Sequence, residues 1–199
     1  TWFLIGGPLA GRPFWRRLVT ELERRGEVAA FLAFARARAP QAAALRTEGF
    51  YRDSKDPGRI DTPTMTALLE AWFEGAGPPE DFVSPEALRA ALPPGVRLGN
   101  HTFGHPVLAG LPAAVQAAEL RQGRQALEAL ALPLSDALAL PFGGVGTWDA
   151  ATLQAAAEAG VALLLSTAPG LAPAQPPGAP RQPPLLQRAL LGRALQTAG

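Results

Sequence analysis

An α/β fold on a parallel sheet is what this sequence predicts, and three observations carry the prediction. Short strand-like runs at 1–5, 96–98, 137–140 and 161–166 are separated by stretches with helical periodicity, the pattern of β-α-β units. The runs at 137–140 and 161–165 are apolar throughout, as strands covered on both faces are. The side chains with chemistry to offer, His101, His105, Pro141, Phe142 and Thr167, follow these runs. Ligands of parallel sheets bind at such carboxyl ends.

Bulk properties bound the rest. The chain has 199 residues, 48% of them hydrophobic and 18% charged, so it is globular and reads as one domain over 1–199. A net charge of +1 argues against a nucleic-acid partner. There is no cysteine, so neither a disulfide framework nor a thiolate metal site can form, and the redox compartment stays open. No apolar run is long enough to cross a bilayer, and no secretory leader is visible. The chain starts without methionine directly on strand-like residues, and the natural N-terminus is expected upstream of Thr1. Compartment and oligomeric state are left open.

The elements follow in order. Residues 1–5 predict a buried strand that Gly6-Gly7-Pro8 stops. Gly11-Arg12-Pro13-Phe14-Trp15 opens a helix with Pro13 in its first turn. Leu18, Val19 and Leu22 form its apolar side against Arg16, Arg17, Glu21, Glu23 and Arg24. A second helical piece is predicted over 27–38 and a third over 41–51, with Pro40 between them. Residues 53–59 read as a loop. A short helix over 65–73 carries Leu68, Leu69, Trp72 and Phe73, and 75–79 ends it. The stretch 10–80 is therefore a helical insertion, longer than one crossover requires. Its aromatics Phe14, Trp15, Trp72 and Phe73 can pack a core or line a sugar-binding groove, and helical spacing favours the core.

Ser84 is placed as an N-cap, followed by Pro85 and Glu86, for a helix over 85–92. Residues 96–98 are the strand that delivers the histidines. The longest helix is predicted over 112–130. Val115, Leu120, Leu127 and Leu130 mark its inner side, and Glu119, Arg121, Arg124 and Glu128 its wet side. A strand at 137–140 turns out through Pro141-Phe142-Gly143-Gly144. Thr147-Trp148-Asp149 starts a helix to about 159, closed by Gly160. The strand 161–166 follows, then a Pro-rich irregular loop over 169–184 and a last strand over 185–191.

Both histidines of the chain lie in Leu98-Gly99-Asn100-His101-Thr102-Phe103-Gly104-His105-Pro106, four positions apart. Gly99 and Gly104 suit a tight turn, and Pro106 disfavours helix at His105. Two imidazoles on such a loop can converge on one divalent ion, zinc being the commonest guest. An isolated H-x-x-x-H can equally be a pair of surface histidines with no metal. A catalytic zinc takes three protein ligands, so two are not a complete site. Asp53, Asp56 and Asp61 are the only carboxylate cluster nearby, on a loop not expected to bring them within bonding distance.

Gly99-Asn100-His101-Thr102-x-x-His105-Pro106 resembles the metal motif of the NodB-homology polysaccharide deacetylases, G-N-H-[ST]-x-x-H. Leu140-Pro141-Phe142-Gly143 is similar to that family's R-x-P-[YF]-G, with Ala139 at the arginine position, or to its F-x-Y-P-F-G subset. Ser166-Thr167-Ala168-Pro169-Gly170 resembles its T-T-x-P-G, and Thr1-Trp2-Phe3-Leu4-Ile5-Gly6 a strand that follows its first motif. The resemblance spans 1–6 and roughly 80–190. It implies a distorted, incomplete (β/α) barrel of the deacetylase type, with the helical insertion after the first strand.

In function it implies a metal-dependent hydrolase that removes N- or O-acetyl groups from a polysaccharide. His101 and His105 would be metal ligands, and Pro141, Phe142, Gly143 and Thr167 would border the substrate. The cofactor would be a divalent metal, zinc first, with cobalt, nickel or manganese as alternatives. The partner would be an acetylated glycan. The family's aspartate base and third ligand belong to a motif expected upstream of Thr1. The alternatives are a catalytically incomplete relative that binds carbohydrate, and a helical interaction domain whose histidines are accidental.

Overall fold

The computed structural model describes residues 1–74 and 83–167, with the backbone of 185–187. The elements from the N-terminus are β1 (Trp2–Leu4), α1 (Gly6–Leu9), α2 (Trp15–Arg25), α3 (Val28–Arg36), α4 (Phe50–Asp53), α5 (Thr62–Trp72) and α6 (Pro85–Ala91). There follow β2 (Leu98–Asn100), α7 (Ala113–Glu128), β3 (Leu134–Ala139), α8 (Ala150–Glu158), β4 (Leu163–Ser166) and β5 (Leu185–Gln187). The chain divides into two compact units, Thr1–Gly6 with Ala91–Gly199, and Gly7–Ala90. Among the described residues no helix is long and apolar enough to cross a membrane.

The first unit is a sheet of five parallel strands in the order β1-β2-β3-β4-β5. Each strand pairs with its neighbour in sequence, so the sheet winds in one direction, as in an incomplete (β/α) barrel. Leu138, Leu140 and Leu164 from the strands and their ends meet Leu120 of α7 and Ala155 and Ala156 of α8 in the core. The small alanines of α8 let that helix lie close to the sheet. Asp149 caps α8, accepting from the Thr152 amide at 3.0 Å while Thr152 reaches back to the Asp149 amide. Gly160 follows the helix with φ +70°, the left-handed conformation expected of it.

Several boundaries differ from the sequence reading, each for a physical reason. β1 is not a buried strand: it lies at the edge of the sheet order with Trp2 41% exposed. Its apolar character serves close packing, since the Phe3 ring lies 2.5 Å from where a Cβ at Gly99 would stand. β2 runs to Asn100, so Gly99 makes room for that ring instead of making a turn. β3 begins at Leu134, three residues early: exposed Asp136 breaks the apolar run, and the register with β2 shifts across it, Leu98 facing Leu134 and Asn100 facing Leu138, while the strand continues. The predicted strand stop at Gly6 is a short helix, α1.

The second unit is helical. Trp15, Leu18, Val19 and Leu22 of α2, Phe31 and Leu32 of α3, and Met65 and Leu69 of α5 are buried together with Phe50. The Phe31 ring stands 5.7 Å from Phe50 and 5.8 Å from Trp72, both edge-on. Trp15 at 1% and Phe73 at 8% exposure are core residues. The third predicted helix, 41–51, is broken: Pro40–Ala44 is a 3-10 turn, and α4 starts only after Gly49 at φ +75°. α5 starts at Thr62 because the Asp61 side chain caps it, accepting from the Thr64 amide at 2.8 Å. Ser84 caps α6 through the Ala87 amide at 3.1 Å.

The predicted loop at 53–59 holds a buried charge. Asp53, 1% exposed, accepts from Arg46 Nε at 2.9 Å and from its second nitrogen at 3.2 Å, with Arg52 and Arg59 at 3.5 and 3.7 Å. The Arg46 hydrogen bonds hold the Asp53 carboxyl below its ordinary value of 3.8, outweighing burial, which pushes it up. A depressed carboxylate contributes stability above its unfolded pKa and loses it as pH falls through the folded one. Asp53→Asn is therefore expected to melt at a lower temperature than the parent at neutral pH. The gap should narrow on acidification from about pH 5 to pH 2. Thermal melts across that range check it; a constant gap would contradict the linkage.

The predicted stop at 75–79, the Pro-rich stretch 169–184 and the extension of the last strand over 188–191 lie outside the described residues.

Candidate functional site

The site is built where β2 and β3 end. Asn100, buried, closes β2, and its side chain is spent on the backbone: Nδ2 donates to the Leu120 carbonyl at 2.8 Å and Oδ1 accepts from the Thr102 amide at 2.9 Å. The His101 amide donates to the Leu4 carbonyl at 3.0 Å, which keeps it in line with β1. Thr102 then takes φ +65° and is fully buried. Its carbonyl accepts from the Gly6 amide at 2.9 Å, and its hydroxyl from the His105 amide at 3.0 Å. The loop thus folds back so that its two imidazoles face each other, with ring centroids 4.7 Å apart and planes at 81°.

The orientation of His101 is fixed from the neighbouring strand. Its Nδ1 lies 2.7 Å from the Ala139 carbonyl oxygen. A carbonyl only accepts, so Nδ1 carries the proton and Nε2 of the neutral ring keeps a lone pair. Metal-binding histidines are oriented by this kind of contact. Ala139 stands where the resemblance places an arginine, and it contributes a backbone oxygen instead. His105 takes φ +56°, and its ring stands edge-on to Phe142 at 4.8 Å.

Phe142 belongs to the turn after β3, at φ +59°, followed by Gly143 at φ +68°. The Gly143 amide donates to the Pro141 carbonyl at 2.6 Å, so that donor is used inside the turn. The end of β4 holds the turn in place. Thr167 donates its amide to the Gly143 carbonyl and its hydroxyl to the Phe142 carbonyl, both at 2.9 Å. Ser166 adds its hydroxyl on the Gly143 carbonyl at 2.6 Å. A Cβ at Gly143 would stand 2.8 Å from the Thr167 nitrogen, so both its φ and its surroundings require glycine. His101, His105 and Phe142 are brought together; Pro141, Gly143 and Thr167 form and hold the turn.

The groups that hold the site leave no signal in the sequence. The helical period places Glu119 of α7 on the wet side of its helix. Its Oε2 accepts from the Gly104 amide at 2.7 Å and the Phe103 amide at 3.1 Å. A Cβ at Gly104 would stand 3.1 Å from Glu119 Oε1, a tight contact with the end of a flexible side chain. A helical period assigns a polar residue to water by default, so nothing in the pattern marked it. The Ala139 carbonyl carries no side-chain signal at all.

The donor set fits a metal in part. Two imidazoles lie with their ring centroids 4.7 Å apart, and one of them is held as the Nδ1–H tautomer. Among the described residues no group of three or more His, Cys, Asp or Glu is assembled. Asp53 is engaged by arginines, Asp56 by the Gly58 amide and Arg59, and Asp61 by the start of α5.

A family model described as polysaccharide deacetylase matches residues 53–164. The matched segment includes both histidines and the Pro141-Phe142-Gly143 turn, and it begins well before the stretch at 80 where the sequence resemblance resumes. No curated protein and no solved structure matches the chain.

Proposed function

The chain belongs to the polysaccharide deacetylase family, and from that premise we propose that it is a metal-dependent hydrolase removing N- or O-acetyl groups from a glycan. The observation that supports this reading is the facing pair His101 and His105 with Nδ1 of His101 on the Ala139 carbonyl. These two residues would hold a divalent ion, zinc ahead of cobalt, nickel or manganese. When bound, such an ion supplies a Lewis acid for the acetyl carbonyl and a water of lowered pKa.

The overall reaction adds water across the acetyl bond. The water oxygen joins the carbonyl carbon, the C–N or C–O bond breaks, and a proton goes to the sugar nitrogen or oxygen as acetate leaves. In this chain Ala139 orients His101, and the Phe142 ring borders His105 as one wall of the substrate cleft. Thr167 and Ser166 keep that wall in place. In the resemblance, the aspartate base and the third ligand come from the family's first motif.

The test is acetate release from N-acetylated amino-sugar oligomers and O-acetylated glycans by the natural polypeptide containing this sequence. Release is expected to stop in chelator and return with Zn²⁺. Release indifferent to chelator would overturn the metal reading. The absence of a third ligand among the described residues favours one second reading, a glycan-binding relative without catalysis. Retained glycan binding with no acetate release at any metal loading would establish it.

A further inference from the structure

The two histidines are held by different devices. His101 stands at the end of β2, with its amide on Leu4 and its ring on the Ala139 carbonyl; the sheet holds it. His105 stands on the loop, beyond two amides that meet one carboxylate oxygen, Gly104 at 2.7 Å and Phe103 at 3.1 Å, and the Phe103 amide is shared with the backbone carbonyl of the carboxylate's own residue, also at 3.1 Å. That carboxylate is Glu119, half-buried on α7. The loop is strained on both sides of these amides, since Thr102 and His105 both hold positive φ without being glycine. Such a conformation persists only where the surroundings enforce it. Hydrogen bonds to an ionised carboxylate are the strong kind, and α7 lies close enough to deliver one.

We propose that Glu119 is the positioning residue for His105: its carboxylate, through the amides of Phe103 and Gly104, sets where the second imidazole stands. The assignment of a metal to the pair rests on the function proposed above; the positioning does not. Removing the carboxylate frees the Gly104 amide, leaves the Phe103 amide with only the Glu119 backbone carbonyl at 3.1 Å, and lets His105 relax from its positive φ. His105 then leaves its partner ring while His101 stays on Ala139. Glu119→Gln keeps a carbonyl oxygen for the same amides and is the conservative rescue.

The experiment uses the whole 199-residue chain without metal, followed by a Zn²⁺ titration. Histidine-ring NMR of the parent is expected to show a His101–His105 ring contact and the Nδ1–H tautomer at His101. Glu119→Ala should lose the ring contact and broaden His105 while His101 keeps its tautomer. Its Zn²⁺ affinity should fall about tenfold, the low end for loss of an outer-shell partner. Glu119→Gln should keep the contact and lose less than about threefold. An unchanged ring contact and unchanged Zn²⁺ affinity in Glu119→Ala would overturn the proposal. If the parent takes up no Zn²⁺ but its rings separate in Glu119→Ala, the positioning stands and the metal reading falls. Should Glu119→Ala fail to fold, amide exchange in the parent decides. Slow exchange at Gly104 supports the staple, and exchange at the rate of an open loop overturns it.

Discussion

His101→Ala is expected to lower kcat/KM for deacetylation at least about a thousandfold, a loss of about 4 kcal/mol of transition-state stabilisation. His105→Ala should do the same. The two imidazoles lie against each other, and among the described residues no third His, Cys, Asp or Glu joins them. Neither variant should unfold the protein. Both residues are partly exposed, and the hydrogen bond from His101 to the Ala139 carbonyl is worth about 1 kcal/mol. Steady-state kinetics beside thermal melts and bound-metal analysis separate the two effects. A variant with normal melting and more than about a tenth of the parental kcat/KM would mean that the pair does not carry the reaction.

Gly123→Ala is the second large effect, and its sign runs against helix propensity. Gly123 lies inside α7, where exchanging glycine for alanine ordinarily gains up to about 1 kcal/mol. Here the added Cβ would stand 2.4 Å from Asn100 Oδ1, 2.7 Å from the Thr102 carbonyl carbon and 3.0 Å from its oxygen. Two of those contacts are backbone and cannot swing aside. Asn100 is itself tied to the Leu120 carbonyl of the same helix. Either α7 moves off the sheet or the histidine loop moves, at a net cost of about 2–3 kcal/mol, or a melting temperature lower by roughly 5–10 °C. The ring contact between His101 and His105 should weaken with it. Gly144→Ala is the control, because its Cβ would meet nothing within 4 Å and its φ is not positive; its melting temperature should match the parent's. Equal stability of Gly123→Ala and the parent would show that this close approach is not what seats α7.

Local patterns made much of the fold legible. The alternation of helical periods with apolar runs is set by burial, and burial leaves a periodic trace. It indicated the parallel order around Leu138 and Leu164, which pair directly. Caps were readable where one side chain does the work, as at Ser84. Where a polar residue continues a strand, as Asp136 does, the trace breaks although the strand does not. Where a carboxylate is buried by arginines, as Asp53 is, its residue type points to solvent, and only the tertiary arrangement of Arg46, Arg52 and Arg59 places it inside.

Taken alone, the sequence determined that two imidazoles leave one loop and that an aromatic turn leaves the next strand. Both are matters of residue type and spacing along the chain. What the tertiary structure decided is which groups hold them. The carbonyl of Ala139 is 38 residues from the ring it orients, and the carboxylate of Glu119 is 15 residues from the Gly104 amide it fixes. A backbone carbonyl has no residue identity, and a helical glutamate looks alike on either face. Such contacts exist only once packing has brought distant segments together.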